Sequence, residues 1–299
     1  MEIHSFKALL GIGAALILSA VSSAGECRPL EVVASGTIIA DIARSIGGSD
    51  VNAVPLIGYG GEMHFYTEKP SDLKLVAKAD LILKNCLELD TWLDRLEKAS
   101  GTKAKSVCVT DGITPIKSAS GPDPHAWNSP YSALTYVDNT EKALAAAAPE
   151  LAGEFAERAA AYRAEISSLA DQYREEFGRI PESSRKALTS HAAFGYLARD
   201  YGLDLKSIHG LSDEAEEGAG SVSEIIREVK KSGIKVIFLE TMHDPRLANT
   251  IERETGARTA GELYSDSLPD SSVSYTGYLR HNLSAVLDGL KSQLSADGK

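Results

Sequence analysis

Between Ser132 and about Gly178 the chain offers almost nothing but helix, as SALTYVDNTEKALAAAA followed by PELAGEFAERAAAYRAEISSLADQYREEFG. Pro149 fits the first turn of the second segment, where a missing N–H is harmless. About thirty residues of helix reach about 45 Å at 1.5 Å per residue. That is too long for a crossover within one sheet, so the segment reads as a rigid rod joining two lobes.

Both flanks alternate strand and helix. LEVVAS, VNAVPLIG, DLILKN and KSVCVTD read as strands before the rod, with TIIADIARSIGG, KPSDLKLVAKA and TWLDRLEKASG as helices between them. After it come KALTS, LDLKSIHG, IKVIFLE and ARTAGEL, interleaved with AFGYLARDYG, SVSEIIREVKKSG and PRLANTIERETG, and a last helix SYTGYLRHNLSAVLDGLKSQL. The predicted fold is α/β: two βα lobes with parallel four-stranded sheets joined by one long rigid helix. No close internal repeat is visible. The expected boundaries are 1–24 for a signal peptide, 25–148 for the first lobe, 149–180 for the linking helix and 181–299 for the second lobe.

The leader is read from Lys7, the apolar run ALLGIGAALILSAV and the small residues Ser22-Ser23-Ala24, which predict a cut after Ala24 and export to the periplasm. The apolar run is too short to span a bilayer comfortably, so no transmembrane segment is expected in the mature chain. Cys27 follows Glu26, where lipid attachment wants a small residue, so no lipid anchor is expected. A net charge of −11 without a basic stretch excludes nucleic acid as a partner. Three cysteines fit no zinc ribbon. Export permits a disulfide, and neighbouring strands could bring Cys86 and Cys108 together; three buried thiols are the other reading.

Four residues of metal-ligand type fall in segments that follow strands: His64 in GGEMHFYTEKPSD, His125 in GPDPHAWNSP, His191 in LTSHAAFGYLARDYG and Asp266 in ELYSDSLPD. Imidazole and carboxylate suit a divalent transition ion. Ligands of open parallel sheets bind beyond the carboxyl ends of the strands, so the four are expected to meet in the interdomain cleft as one metal site. Glu240, ending IKVIFLE, is the first candidate to orient a ligand imidazole. Glu62 and His243 are further candidates near the metal; His209 and His281 fit the scheme less well. LYSDSLPDSS is the most polar of the four segments, and its loop is expected to move on release.

These residues resemble those of the zinc- and manganese-binding solute-binding proteins of bacterial ABC importers. The resemblance rests on His64 with Tyr66 and Pro70-Ser71-Asp72, KADLIL, WLDRL, DPHAW, HAAFGYLARDYGL, EAEEGAGSVSEI, KVIFLE, ETGAR and LYSDSL, and it runs from LEVVAS to the last helix. It implies two lobes on one long helix, His64, His125, His191 and Asp266 as ligands, an inner-membrane ABC permease as partner, a monomer, and no enzymatic activity. Histidine at 191, where manganese members often have glutamate, implies Zn²⁺ as the transported ligand, with Mn²⁺ or dual uptake as the alternative. The short TPIKSASGPDP stands where many zinc members carry a long histidine-rich loop. An exported zinc hydrolase would keep an open coordination position, and no HExxH helix supports one; a metal-scavenging surface adhesin is the third reading.

Overall fold

The computed structural model describes residues 28–118, 121–208, 219–240 and 245–297. The leader with Cys27, and also His209 and His243, lie outside the described residues.

The first lobe runs β1 (Leu30–Ala34), α1 (Thr37–Gly47), β2 (Val51–Pro55), α2 (Pro70–Lys78), β3 (Leu81–Lys84), α3 (Trp92–Ser100) and β4 (Lys105–Cys108). A short antiparallel ribbon, β5 (Lys117–Ser118) with β6 (Gly121–Pro122), follows in the segment read from sequence as plain loop. Two helices come next, α4 (Pro130–Ala147) and α5 (Ala152–Gly178). The second lobe runs β7 (Lys186–Thr189), α6 (Gly195–Tyr201), β8 (Asp204–Ser207), α7 (Ala219–Ser232), β9 (Val236–Glu240), α8 (Pro245–Thr255), β10 (Arg258–Leu263) and α9 (Tyr275–Asp297).

Each lobe holds a four-stranded parallel sheet. The orders are β2-β1-β3-β4 and β8-β7-β9-β10, the same arrangement twice. Val32–Ala34 and Leu81–Leu83 are continuous apolar runs because the inner strands of a parallel sheet are covered on both faces. In both sheets the strand order reverses beside the first strand, which opens a crevice at the carboxyl edge.

The rod is α5. It spans 27 residues, about 40 Å. It begins at Ala152 because Pro149 pushes Ala148 out of helical geometry (φ −136°, ψ 78°) and opens a separate 3-10 turn, Pro149–Leu151. Its buried side chains are Phe155, Ala159, Tyr162, Ile166, Leu169, Ala170, Tyr173 and Phe177. Steps of three and four, with Leu169 and Ala170 adjacent, place them along one stripe. That stripe packs on α1 and α4 of the first lobe and on α6 and α9 of the second. One core therefore runs through both lobes, while a second cluster around Leu188, Ile225, Val229, Ile237 and Ile251 fills the outer side of the second sheet. Among the described residues no helix is long and apolar enough to cross a membrane.

Cys86 and Cys108 form a disulfide from the end of β3 to the end of β4. Beside it Cys86, Leu87 and Glu88 all take positive φ (63°, 50°, 65°). Left-handed backbone costs a side-chain-bearing residue about 1–2 kcal/mol, so the turn needs restraint. Asp90 supplies part of it by accepting the Asn85 and Cys86 amides at 2.7 and 2.9 Å.

Candidate metal centre

His64 sits in the loop between β2 and α2, and His125 just past β6, before a 3-10 turn at Ala126–Asn128. His191 follows β7 by two residues and Asp266 follows β10 by three. All four meet at the carboxyl edges of the two sheets. One ligand-type atom from each lies within 4.8 Å of the corresponding atom of every other. His64 Nε2 is 2.9 Å from His125 Nε2. Asp266 Oδ1 is 3.7 Å from both His125 Nε2 and His191 Nε2. His125 and Asp266 are buried, His191 is half-buried and His64 is exposed.

Two of the imidazoles are oriented by carboxylates. Asp123 Oδ1 accepts both the backbone amide and the Nδ1–H of His125, at 2.9 and 2.8 Å. A carboxylate is an acceptor only, so the proton is on Nδ1 and the Nε2 lone pair faces the cluster. Glu240 does the same for His191, accepting the amide at 2.9 Å through Oε1 and the Nδ1–H through Oε2. Glu240 thus stands where the sequence placed it, whereas Asp123 was not anticipated. Its signal was legible in DPH: a carboxylate two residues ahead of the histidine. The same spacing recurs in EMH, where Glu62 Oε1 accepts the His64 amide at 3.0 Å and the longer side chain brings the carboxyl against Asp266. His281 does not join the cluster; its ring stacks on Tyr264 at 4.1 Å and its Nε2 donates to Glu262 O at 2.9 Å.

Asn85 was also missed. It is fully buried, and its Nδ2 donates to Pro124 O at 3.0 Å while its Oδ1 accepts Tyr136 OH at 2.5 Å. It pins the peptide that leads into His125.

The charges interlock. Burial alone disfavours a His191 imidazolium, but the Asp266 contact, at 3.7 Å an ion pair rather than a hydrogen bond, and the Glu240 hydrogen bond outweigh it and push His191 up to about 10. Burial likewise opposes the Asp266 carboxylate, yet His191 and then His125 and His64 draw it down to about 2. Partial desolvation, then repulsion from His125, holds His64 below the usual imidazole range. Asp266 Oδ1 is a buried oxygen without a hydrogen-bond partner in the cluster. A divalent cation would satisfy it and, in displacing the His191 proton, would meet three Nε2 lone pairs.

The Asp266 loop is not the loosest of the four, contrary to the expectation from its polarity. Ser265, Asp266, Ser267 and Leu268 are all buried. Asn282 holds both the N–H and the carbonyl of Tyr264, at 3.0 and 2.8 Å. Trp127 Nε1 donates to Ser265 O at 2.7 Å, with Tyr278 OH at 2.6 Å from the same oxygen, and Leu268 N donates to Thr37 Oγ1 at 2.9 Å. The backbone of a segment that looks solvated in the sequence is held by Trp127 and Thr37 from the first lobe and by Asn282 and Tyr278 from the second.

Residues 32–289 match the family described as zinc-uptake complex component A, periplasmic. The iron-binding protein YfeA of Yersinia pestis is 34% identical over 271 residues, covering 89% of this chain and 86% of that protein. The manganese-binding lipoprotein MntA of Bacillus subtilis is 30% identical over 284 residues, covering 90% and 93%. Among solved structures, the Mn-bound periplasmic metal binding protein of Candidatus Liberibacter asiaticus superposes with a TM-score of 0.79 at 30% identity, over 87% of this chain and 98% of that one. The periplasmic zinc binding protein TroA of Treponema pallidum gives 0.80 at 28% identity, over 88% and 99%. With the fold, the paired sheets on a long helix and the sequence match in agreement, the chain belongs to the zinc-uptake complex component A family of metal-binding, substrate-binding proteins of ABC importers, extracytoplasmic receptors rather than enzymes that work with a membrane permease.

Proposed function

We propose that this protein is a periplasmic Zn²⁺ receptor that delivers the ion to its importer's permease, with the Nε2 atoms of His64, His125 and His191 and a carboxylate oxygen of Asp266 as ligands. One observation carries the reading. Ligand atoms around a tetrahedral zinc, with bonds of about 2.0–2.1 Å, stand about 3.3 Å apart. The separations here of 2.9, 3.7 and 3.7 Å bracket that value. Three neutral imidazoles and one carboxylate suit zinc better than manganese by donor type and by the stability order of divalent ions. Asp123 and Glu240 keep two of the imidazoles in the tautomer that binds.

Mn²⁺ is the second reading, and Glu62 favours it. Its carboxyl lies beside Asp266 and could add the oxygen that manganese prefers. The manganese-binding names among the relatives point the same way. We assign the leader cut to the bond after Ala24 and the receptor to a monomer, with lobes 25–148 and 181–299 on the helix 149–180.

Elemental analysis and chelator competition on the purified chain should find one tightly held ion, with Zn²⁺ displacing Mn²⁺ at neutral pH. His191→Glu should narrow the gap between the ions. No tight site, or two, would overturn the single-site reading; a wild type that prefers Mn²⁺ would overturn the zinc assignment alone.

A further inference from the structure

The four candidate ligands are held in different ways. His125 and His191 are fixed by buried or half-buried carboxylate contacts, and Asp266 by its clamped loop. His64 has neither. The backbone hydrogen bonds described for residues 61–65 are local: Gly61 N to Gly58 O at 3.0 Å, and His64 N to its neighbour Glu62. Phe65, next to His64, is 87% exposed and gives the loop no apolar grip. Met63, on the other side, is 4% exposed. Its side chain packs inward against Gly36 and lines a small cavity together with Gly36, Ile38, Ile39, Asn85 and Trp127. Gly36 forms the floor: a β-carbon there would stand 3.2 Å from both Sδ and Cε of Met63. The thioether is therefore the apolar anchor next to His64 in a loop whose other ties lie further along it, at Gly60 N to Leu268 O, 3.0 Å, and at Tyr66, which donates to Asp72 and Leu56 O and packs its ring on Trp92.

We infer that Met63 is the positioning residue for His64, and that withdrawal of its side chain from the Gly36 pocket is the step that frees His64 and opens the site to release the ion. An unbranched thioether fits this task. It fills an apolar slot without a hydrogen bond, so it leaves without orphaning a polar group. The inference rests on the metal-receptor reading and adds the moving part.

The test uses the full mature chain loaded with Zn²⁺, and reads the off-rate by stopped-flow mixing with a chromophoric chelator. Met63→Ala should raise the off-rate by about tenfold or more, because a buried side chain that holds the loop is lost. Met63→Leu, which refills the slot, should restore a rate near wild type, and Phe65→Ala should leave it unchanged. Hydrogen exchange on the metal-free protein should show faster uptake at 61–66 than at 264–268. A Met63→Ala off-rate within about twofold of wild type, an equal rise in Phe65→Ala, or faster uptake at 264–268 would overturn the inference. Failure of wild type to hold one ion would instead overturn the receptor reading, so the two are distinguishable; an apo melting curve for each variant confirms that it is folded.

Discussion

Replacing Glu240 gives the sharpest test of how the site is built. The carboxylate is fully buried and accepts two N–H groups of His191, one from the backbone and one from the ring. Hydrogen bonds to a charged group contribute about 1.5–3 kcal/mol each, and removing the group that orients a ligand imidazole lowers metal affinity by about 10–100-fold. Glu240→Ala should approach that range toward pH 9, where competition from the proton on His191 is weakest. Glu240→Gln should lose about tenfold, because an amide can turn its oxygen to only one of the two donors and must face the other with NH₂. The loss should also depend on pH. The Asp266 and Glu240 carboxylates push His191 up to about 10, so the ion must displace a proton, and the apparent affinity falls as pH drops below that value. Without Glu240 the His191 pKa drops and this competition weakens. The gap between wild type and variant should therefore widen from pH 6 to pH 9 in a chelator-competition titration. A gap that stays constant across that range, or an Ala variant within about threefold of wild type at pH 9, would refute the account of Glu240 as the group that orients and charges His191.

Three other outcomes follow from the same geometry. His125→Ala should weaken zinc strongly in equilibrium competition, whereas His281→Ala, which removes a ring stacked away from the cluster, should not. Metal-free protein should lose stability in urea melts as pH rises from about 6.5 toward 10, because the raised His191 pKa contributes stability that is complete below the unfolded value and is lost through the folded one; the depressed Asp266 pKa of about 2 acts at the other end, with stability lost as pH falls through it. Removing the disulfide by Cys86→Ser with Cys108→Ser should lower unfolding stability by about 3 kcal/mol, since the bond closes a loop with a sequence separation of 22.

Much of this protein is determined by local sequence. Alternation of β-rich runs with amphipathic helices fixes two βα lobes, because strand and helix periods are set by backbone geometry and not by distant contacts. The stripe from Phe155 to Phe177 fixes the rod in the same way. Four ligand-type side chains just past strand ends were legible because sheets of this kind expose their carboxyl edges, and Glu240 was legible as the last residue of β9. What only the tertiary structure decided is which loops are held. LYSDSLPDSS reads as a solvated turn, yet its backbone is committed to Asn282, Trp127, Tyr278 and Thr37, from 13 to 231 residues away along the chain. Asn85 at the end of a strand becomes a support for His125, and Met63, one apolar residue in a glycine-rich loop, becomes the peg beside His64, only once β1, β3 and the 3-10 turn stand next to one another. The physical reason is that hydrogen bonding and apolar packing are local in space but not in sequence: composition states what a side chain can do, and only the fold supplies the partner with which it does it.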